Sequence, residues 1–153
     1  MVQQMDYKVV ERQAVRILGI RCTTPYGGGT WGIIKSDGTY EKIEKISGHM
    51  CDLGLCFGFD SEGNNDYMCG VEYDGEDIPG FDYYQYPDST WLVFTAKGSI
   101  SSGVLGQTWK RIYGEFMPQS EYHQQDLPTI ERYIEWNETS DVCNVEIMIP
   151  VLK

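Results

Sequence analysis

The chain has 153 residues, enough for one ordinary domain with a buried core. Its 23 acidic residues outnumber 12 basic ones, and the net charge of -11 argues against direct binding to nucleic acid, whose phosphates an acidic surface repels. Such a surface also concentrates cations near any cleft, although solubility alone would explain the charge equally well.

No part of the sequence indicates export or insertion into a membrane. Residues 1–6 lack the apolar stretch of a secretory signal. No apolar run approaches the roughly 20 residues that span a bilayer. The cysteines are odd in number and lack a disulfide-framework spacing: Cys22, Cys51, Cys56, Cys69 and Cys143. We therefore expect reduced thiols and a cytoplasmic location.

The first half of the chain predicts a strand, a helix and a hairpin of two further strands. Apolar alternation predicts one long or broken strand over residues 7–22. A helix is predicted from about residue 30 to 46, with a weak point at 36–38. Strands over 52–59 and 67–73 follow, joined by an acidic loop rich in glycine and asparagine.

The same order of elements starts again after an acidic linker at 74–80. Two strand-like segments joined by a turn stand in the place of the first strand, and a helix follows from about residue 103 to 117. Two final strands complete the chain, so that the predicted strands of this half cover residues 81–86, 91–97, 129–136 and 142–150.

The helix of the second half has a clear apolar face and clear end signals. Ser101 or Ser102 is predicted to cap its start, and Pro118 to end it. The spacing i, i+4, i+7, i+11 places four large side chains on one face: Leu105, Trp109, Ile112 and Phe116.

The two halves, 5–74 and 80–151, therefore share a β-α-β-β layout, although they are not visibly similar in sequence. We predict one α+β domain over residues 1–153, with pseudo-twofold symmetry and an antiparallel sheet carrying helices on one face. The helix-free face would form a curved surface with a central groove between the halves, a common place for a ligand.

The strand at 129–136 carries the strongest candidate for function. Its alternation sets four residues against three: Ile130, Arg132, Ile134 and Trp136 on one face, and Glu131, Tyr133 and Glu135 on the other. An unpaired carboxylate is costly in a core, so a half-buried cleft suits Glu131 better. There the carboxylate would meet a ligand's positive charge while Tyr133 stacks on it. The alternative is an exposed glutamate on an edge strand.

Small and aromatic residues supply further candidates for ligand binding. Small side chains on the strand at 52–59 leave room for a ligand to approach the backbone, or else serve tight packing. Aromatic residues are abundant, and Trp109 and Tyr113, four apart on the helix, also suit a core. The candidates besides Glu131 and Tyr133 are Gly54, Cys56, Gly58, Tyr67, Trp91, Trp109 and Tyr113.

Other chemistries find little support. The glycine run at 27–29 is not followed by the Gly-Lys-Ser/Thr of a phosphate loop. The spacing of His49 and its neighbouring cysteines matches no usual zinc site. With only His49 and His123 available, catalytic Ser–His or Cys–His arrangements have few ways to form. We predict no metal and no cofactor.

Two motifs of the second half resemble the signature of GyrI-like domains, the effector-binding domains of AraC-type and MerR-type multidrug regulators. The first runs from Trp109 on a helix to the turn Pro118-Gln-Ser120-Glu-Tyr122, and the second is the P-x-x-E-x-Y pattern of residues 128–133. Gln119 departs from the acid or small residue frequent in the family. Residues 17–20 and the region of Gly58 are also similar, so the resemblance spans nearly the whole chain.

The resemblance implies two tandem β-α-β-β modules with a central cleft that Glu131 enters. It also implies recognition of cationic, often aromatic, ligands. Because Met1 precedes the first strand by only a few residues, we expect a stand-alone bacterial member without a helix-turn-helix domain.

Three functions follow as expectations. The first is binding or sequestration of a small hydrophobic, cationic aromatic ligand, with a role in transcription regulation or in the response to drugs and toxins. The second is hydrolysis of a reactive cyclopropane-bearing molecule, with Glu131 as the key carboxylate and Tyr133 or Trp109 positioning the substrate. The third is a gyrase-inhibitor-like interaction with a protein partner such as a topoisomerase or a DNA-binding regulator. The sequence does not define the oligomeric state.

Overall fold

The computed structural model describes residues 5–152 and shows an α+β fold. Residues 1–4, part of the N-terminal stretch predicted to carry no signal, and residue 153 lie outside this range. In chain order the strands are β1 (Lys8–Arg12), β2 (Val15–Thr24), β3 (Leu53–Phe59), β4 (Asn65–Glu72), β5 (Asp82–Tyr86), β6 (Ser89–Gly98), β7 (Thr129–Asn137) and β8 (Val142–Val151). The helices are α1 (Gly29–Ser36), α2 (Thr39–Ser47), α3 (Val104–Arg111) and the single turn α4 (Met117–Gln119).

The chain forms two compact units, each with four strands and with helices of its own. We call residues 13–88 the continuous unit, and residues 5–12 together with 89–152 the split unit. All strand pairs within the two units are antiparallel, as predicted.

In the continuous unit the strands lie in the order β3-β4-β2-β5, and α1 and α2 cover one face of the sheet. The side chains buried between helices and sheet are mostly aliphatic or sulfur-containing, with one tyrosine: Leu18, Ile34, Ile43, Cys51, Tyr67, Cys69 and Val71. The predicted weak point at 36–38 is a real break, because Gly38 has a φ of 84° and separates α1 from α2.

In the split unit the order is β1-β6-β8-β7, and α3 packs on one face. Its core contains Leu92, Phe94, Ala96, Ile112, Ile147, Ile149 and Val151. Leu105, Trp109 and Phe116 pack against this core, which confirms the predicted apolar face of the helix.

The membership of the units differs from the predicted halves at one strand each. The strand predicted over 7–22 is broken at residues 13 and 14, so β1 pairs with β6 in the split unit, while β2 pairs with β4 and β5 in the continuous unit. Likewise β5, predicted to begin the second half, pairs with β2. The backbone N–H of Ala14, at this break, donates to the Asp88 carboxylate over 2.7 Å, a contact within the continuous unit.

The start and end of the long helix differ from prediction. Gly103, at a φ of 75°, is the N-cap of α3, and no side chain caps it. The hydroxyl of Ser101 donates instead to Asp141 in the β7–β8 turn. A π-helical turn, Ile112–Phe116, follows α3 and leads into α4, so Pro118 lies within the last helical turn rather than after it.

The two units also share a sequence motif, contrary to the expectation of no visible similarity. α1 contains Thr30-Trp31-x-x-Ile34, and Thr108-Trp109-x-x-Ile112 runs from α3 into the π-helical turn. The threonine and the isoleucine are buried in both motifs, and both tryptophans are half-buried. The repeated spacing therefore gives each unit a tryptophan at the same place beside its sheet.

Each helix within residues 5–152 is too short or too polar to cross a membrane.

Candidate functional site

Glu131 is half-buried on β7 and accepts hydrogen bonds on both carboxylate oxygens. The indole N–H of Trp109 donates to Oε2 over 2.8 Å, and the hydroxyl of Tyr133 donates to Oε1 over 3.1 Å. Both donors are neutral and fixed by the fold, one on α3 and one on the same strand. They orient the carboxylate without neutralising its charge.

The helix contributes a second ring through its π-helical turn. Tyr113 stacks on Trp109 with centroids 5.8 Å apart and planes inclined by 3°. Its hydroxyl donates to Gln124 Oε1 over 2.9 Å, while 42% of the residue stays exposed. π-helical turns shift the side chains that follow and often occur at functional sites. Here the turn contributes an exposed ring beside the Trp109–Glu131 pair.

A β-bulge in β7 changes the predicted division of its faces. The register with β8 shifts between Tyr133 and Glu135, so Ile134 is the additional residue. Beyond the bulge, Trp136 lies on the face of Tyr133, with ring centroids 5.5 Å apart and planes at 70°. The sequence predicts that Glu135 shares a face with Tyr133 and that Trp136 lies on the other face. Both predictions are wrong, because strict alternation ends at the bulge.

The candidate carboxylate lies on the helix-bearing face of the split unit. Its hydrogen bond to Trp109 on α3 and its pairing with Ile147, a core residue beneath the helix, both show this. The predicted ligand groove lies on the helix-free face. For Glu131 that expectation is wrong, since the residues paired across the β7–β8 hairpin share a face with the helix core.

Trp91 does not join this group. It is 2% exposed and pairs with Pro150, whereas its neighbours Leu92 and Phe94 alternate onto the helix-bearing face. Its side chain therefore lies on the opposite face of the sheet from Glu131.

The remaining predicted site residues belong to the continuous unit. A Cβ added at Gly54 would lie 1.8 Å from the Tyr67 hydroxyl, so the tyrosine already fills the space above this glycine. Tyr67 itself is 3% exposed. The amide of Asn65 donates to Cys56 Sγ over 3.6 Å and to the carbonyl of Gly58 over 3.0 Å.

Gly58 has a backbone reason for being glycine. Its φ of 125° is rarely adopted by other residues, and it lies at the bulge of β3. The small residues of this strand are thus explained without a ligand at two positions. The Tyr67 side chain fills the space at Gly54, and the backbone conformation requires glycine at Gly58.

Sequence reasoning identified Glu131, Tyr133, Trp109 and Tyr113, which the structure brings together. It missed Trp136, since a bulge leaves no period-two signal, and Gln124, which lies in a polar loop without a pattern.

The arrangement of these side chains is suited to binding a positively charged group. A negative carboxylate of fixed orientation lies beside three aromatic side chains in contact with it or with one another: Trp109, Tyr113 and Tyr133. Among the described residues, no group of histidine, cysteine, aspartate or glutamate is arranged to hold a metal ion.

Comparison with solved structures shows the same fold at low sequence identity. A Staphylococcus aureus MU50 protein described as a bacterial transcription regulation protein is 22% identical, with a TM-score of 0.76, over 98% of this chain and 100% of that one. SAV2435, solved bound to tetraphenylphosphonium, is 23% identical with a TM-score of 0.78, over 97% and 94% of the two chains. The EcmrR C-terminal domain is 15% identical with a TM-score of 0.63, over 99% of each chain.

Among curated protein sequences, none gives a significant match. A family model does match, and it is described as the GyrI-like small molecule binding domain and covers residues 5–152. Because the match spans nearly the whole sequence, this chain belongs to the family of GyrI-like small molecule binding domains.

Proposed function

We propose that the split unit binds a hydrophobic organic cation beside Glu131, and that the protein senses or sequesters such compounds. The observation that carries the proposal is the pair of neutral donors, Trp109 and Tyr133, on the Glu131 carboxylate.

These donors favour a particular chemical class of ligand. A desolvated carboxylate needs hydrogen bonds, and leaving it without them is costly. A quaternary cation such as a phosphonium has no N–H to donate. In this site the protein supplies the donors itself, so the ligand has only to supply charge and apolar surface.

Two further forces act in the same direction. A cation 4–5 Å from a carboxylate gains about 3–4 kcal/mol at an effective dielectric constant of ~20. Aromatic faces add roughly 0.5–2 kcal/mol each, depending on desolvation. The net charge of -11 raises the local concentration of cations before they bind. SAV2435, which has the same fold, is described as bound to tetraphenylphosphonium, an example of this class.

Isothermal titration with tetraphenylphosphonium tests the proposal. We expect Glu131→Gln to weaken binding at least about tenfold, equivalent to about 1.4 kcal/mol, because the amide keeps the shape but removes the charge. Tyr133→Phe should weaken it less, since the carboxylate keeps its charge and the Trp109 bond.

Glu135→Gln is the matched control, because Glu135 is an exposed glutamate on the same strand. It removes the same charge from the surface and should change the affinity by less than about twofold at physiological ionic strength. Absence of binding to the wild type, or an equal loss in the two glutamine variants, would refute a ligand site at Glu131.

A further inference from the structure

The β3–β4 hairpin of the continuous unit matches the β7–β8 hairpin of the split unit in the register of its paired strands. Each first strand has one bulge: between Cys56 and Gly58 in β3, and between Tyr133 and Glu135 in β7. When the bulges are superposed, Cys56 corresponds to Tyr133. Two residues earlier on the strand, and on the same face, Gly54 corresponds to Glu131.

The partner strands follow the same correspondence. Cys56 pairs with Tyr67 on β4, and Tyr133 pairs with Val145 on β8. Tyr67 therefore occupies the position of Val145, and both are buried on the helix-bearing face of their sheet. A tyrosine and a glycine in one unit thus replace a valine and a glutamate in the other.

The tryptophans of the repeated motif make equivalent hydrogen bonds. Trp109 donates its indole N–H to Glu131, and Trp31 donates its indole N–H to the Tyr67 hydroxyl over 3.2 Å. Because a Cβ at Gly54 would lie 1.8 Å from that hydroxyl, the oxygen of Tyr67 lies where a side chain at the Glu131 position would begin. The phenol oxygen therefore takes the acceptor role that the carboxylate has in the split unit.

We propose that the continuous unit contains a second aromatic-binding site of the same construction, which the protein fills with the phenol side chain of Tyr67. The ligand class of this site is a small neutral phenol, since Trp31 offers a donor and Gly54 offers no charge. The inference goes beyond the function proposed for the split unit. Its test uses no cation, so the two ideas can fail separately.

The experiment removes the internal occupant and supplies it from solution. Tyr67→Ala deletes one phenol from the chain, and the thermal unfolding of the variant is followed with added phenol or added benzene. At phenol concentrations about tenfold above its dissociation constant, we expect the Tm of the variant to rise by about 3–6 °C. Benzene should raise it less, and the wild type should gain nothing from either compound.

The double variant Trp31→Phe/Tyr67→Ala is the matched control. It retains the space but loses the indole donor, so the preference for phenol over benzene should vanish. If Tyr67→Ala is unfolded alone, phenol should restore its circular dichroism spectrum. Equal effects of phenol on wild type and variant, or no effect on the variant, would overturn the proposal.

A milder variant tests the central contact without opening a cavity. Tyr67→Phe keeps the ring and removes the hydroxyl, so the indole ¹⁵N–¹H resonance of Trp31 should shift while that of Trp109 stays in place. An unchanged Trp31 resonance would contradict the acceptor role of Tyr67.

Discussion

At the scale of single residues, the lack of a side chain at Gly54 leaves the space that the Tyr67 hydroxyl occupies. Gly54 lies on β3 at the position of Glu131 on β7, with the Tyr67 hydroxyl where its Cβ would be. Its φ lies outside the positive range, so sterics rather than backbone conformation require glycine here.

Gly54→Ala should therefore destabilise the protein by about 1–3 kcal/mol, the usual effect of overpacking a core. Chemical denaturation measures the change. Gly106→Ala, at an exposed position of α3 with nothing within 4 Å of an added Cβ, is the control and should stabilise the protein by roughly 0.5–1 kcal/mol. A neutral Gly54→Ala would mean that Tyr67 moves aside freely.

At the scale of elements, the turn between β7 and β8 is held by one aspartate. Asp141, at a φ of 57°, accepts the hydroxyls of Ser99 and Ser101 over 2.5 and 2.6 Å, and the backbone N–H of Ser101 over 2.8 Å. The contacts join the hairpin that carries Glu131 to the loop that starts α3. Ser101, one of the two serines predicted to cap the helix, thus binds the hairpin turn instead, whereas the hydroxyl of Ser102 donates to the carbonyl of Ser99.

These bonds make the stability of the hairpin depend on pH. The hydroxyl of Ser101, followed by that of Ser99, lowers the pKa of Asp141 below its usual value. A lowered folded-state pKa stabilises the fold above the pKa of the unfolded chain, and the effect is lost as the pH falls through the folded-state pKa. Asp141→Asn, which tolerates the same φ, should lower the Tm at pH 7, and this deficit should shrink towards about pH 2.

Thermal scans of both proteins across this pH range measure the effect. Glu138→Gln, in the same turn, serves as a control for removing one charge. A Tm difference that stayed constant from neutral to acid pH would show that the Asp141 carboxylate is not the group responsible.

Some elements could be predicted from the sequence, and others could not, for identifiable reasons. Periodicity predicted the strands and the apolar face of α3, and the weak point at 36–38 predicted the break between α1 and α2. The bulges at Ile134 and Phe57 escaped prediction because they depend on the register with a partner strand. The π-helical turn at 112–116 escaped because its sequence also suits an α-helix.

The residues of the candidate site likewise divide into those that periodicity predicts and those that depend on tertiary contacts. Glu131 and Tyr133 were predicted as a pair because alternation holds between them. Their contact with Trp109 required knowledge of which face α3 covers, and single-sequence periodicity does not contain that information. Predicting that Trp136 shares a face with Tyr133 required knowledge of the bulge between them.

At the scale of the whole molecule, burial of titratable groups limits stability in alkali. Burial, with nearby Asp52 and Glu44, raises the pKa of the Cys51 thiol from 9.0 to about 12. Burial likewise raises the pKa of Tyr86 above its usual value. For such groups the stabilising contribution is complete below the unfolded-state pKa and is lost as the pH rises through the folded-state pKa.

The free energy of unfolding should therefore fall steeply between about pH 9 and pH 12. Denaturant titrations at intervals across this range measure the slope. Cys51→Ala removes one of the titrating groups and should make the decline shallower. An identical slope in the variant would exclude the thiol as a contributor.

The pairing of β1 with β6, across the whole continuous unit in sequence, affects the order in which the two units can fold during synthesis. The continuous unit is an uninterrupted stretch of chain, whereas β1 finds its partner β6 only after that whole stretch has been synthesised. During translation the residues of β1 thus emerge first and pair late, whereas all four strands of the continuous unit emerge before β6. Synthesis on the ribosome thus favours completing the Trp31–Tyr67 unit before the Trp109–Glu131 unit can close its sheet.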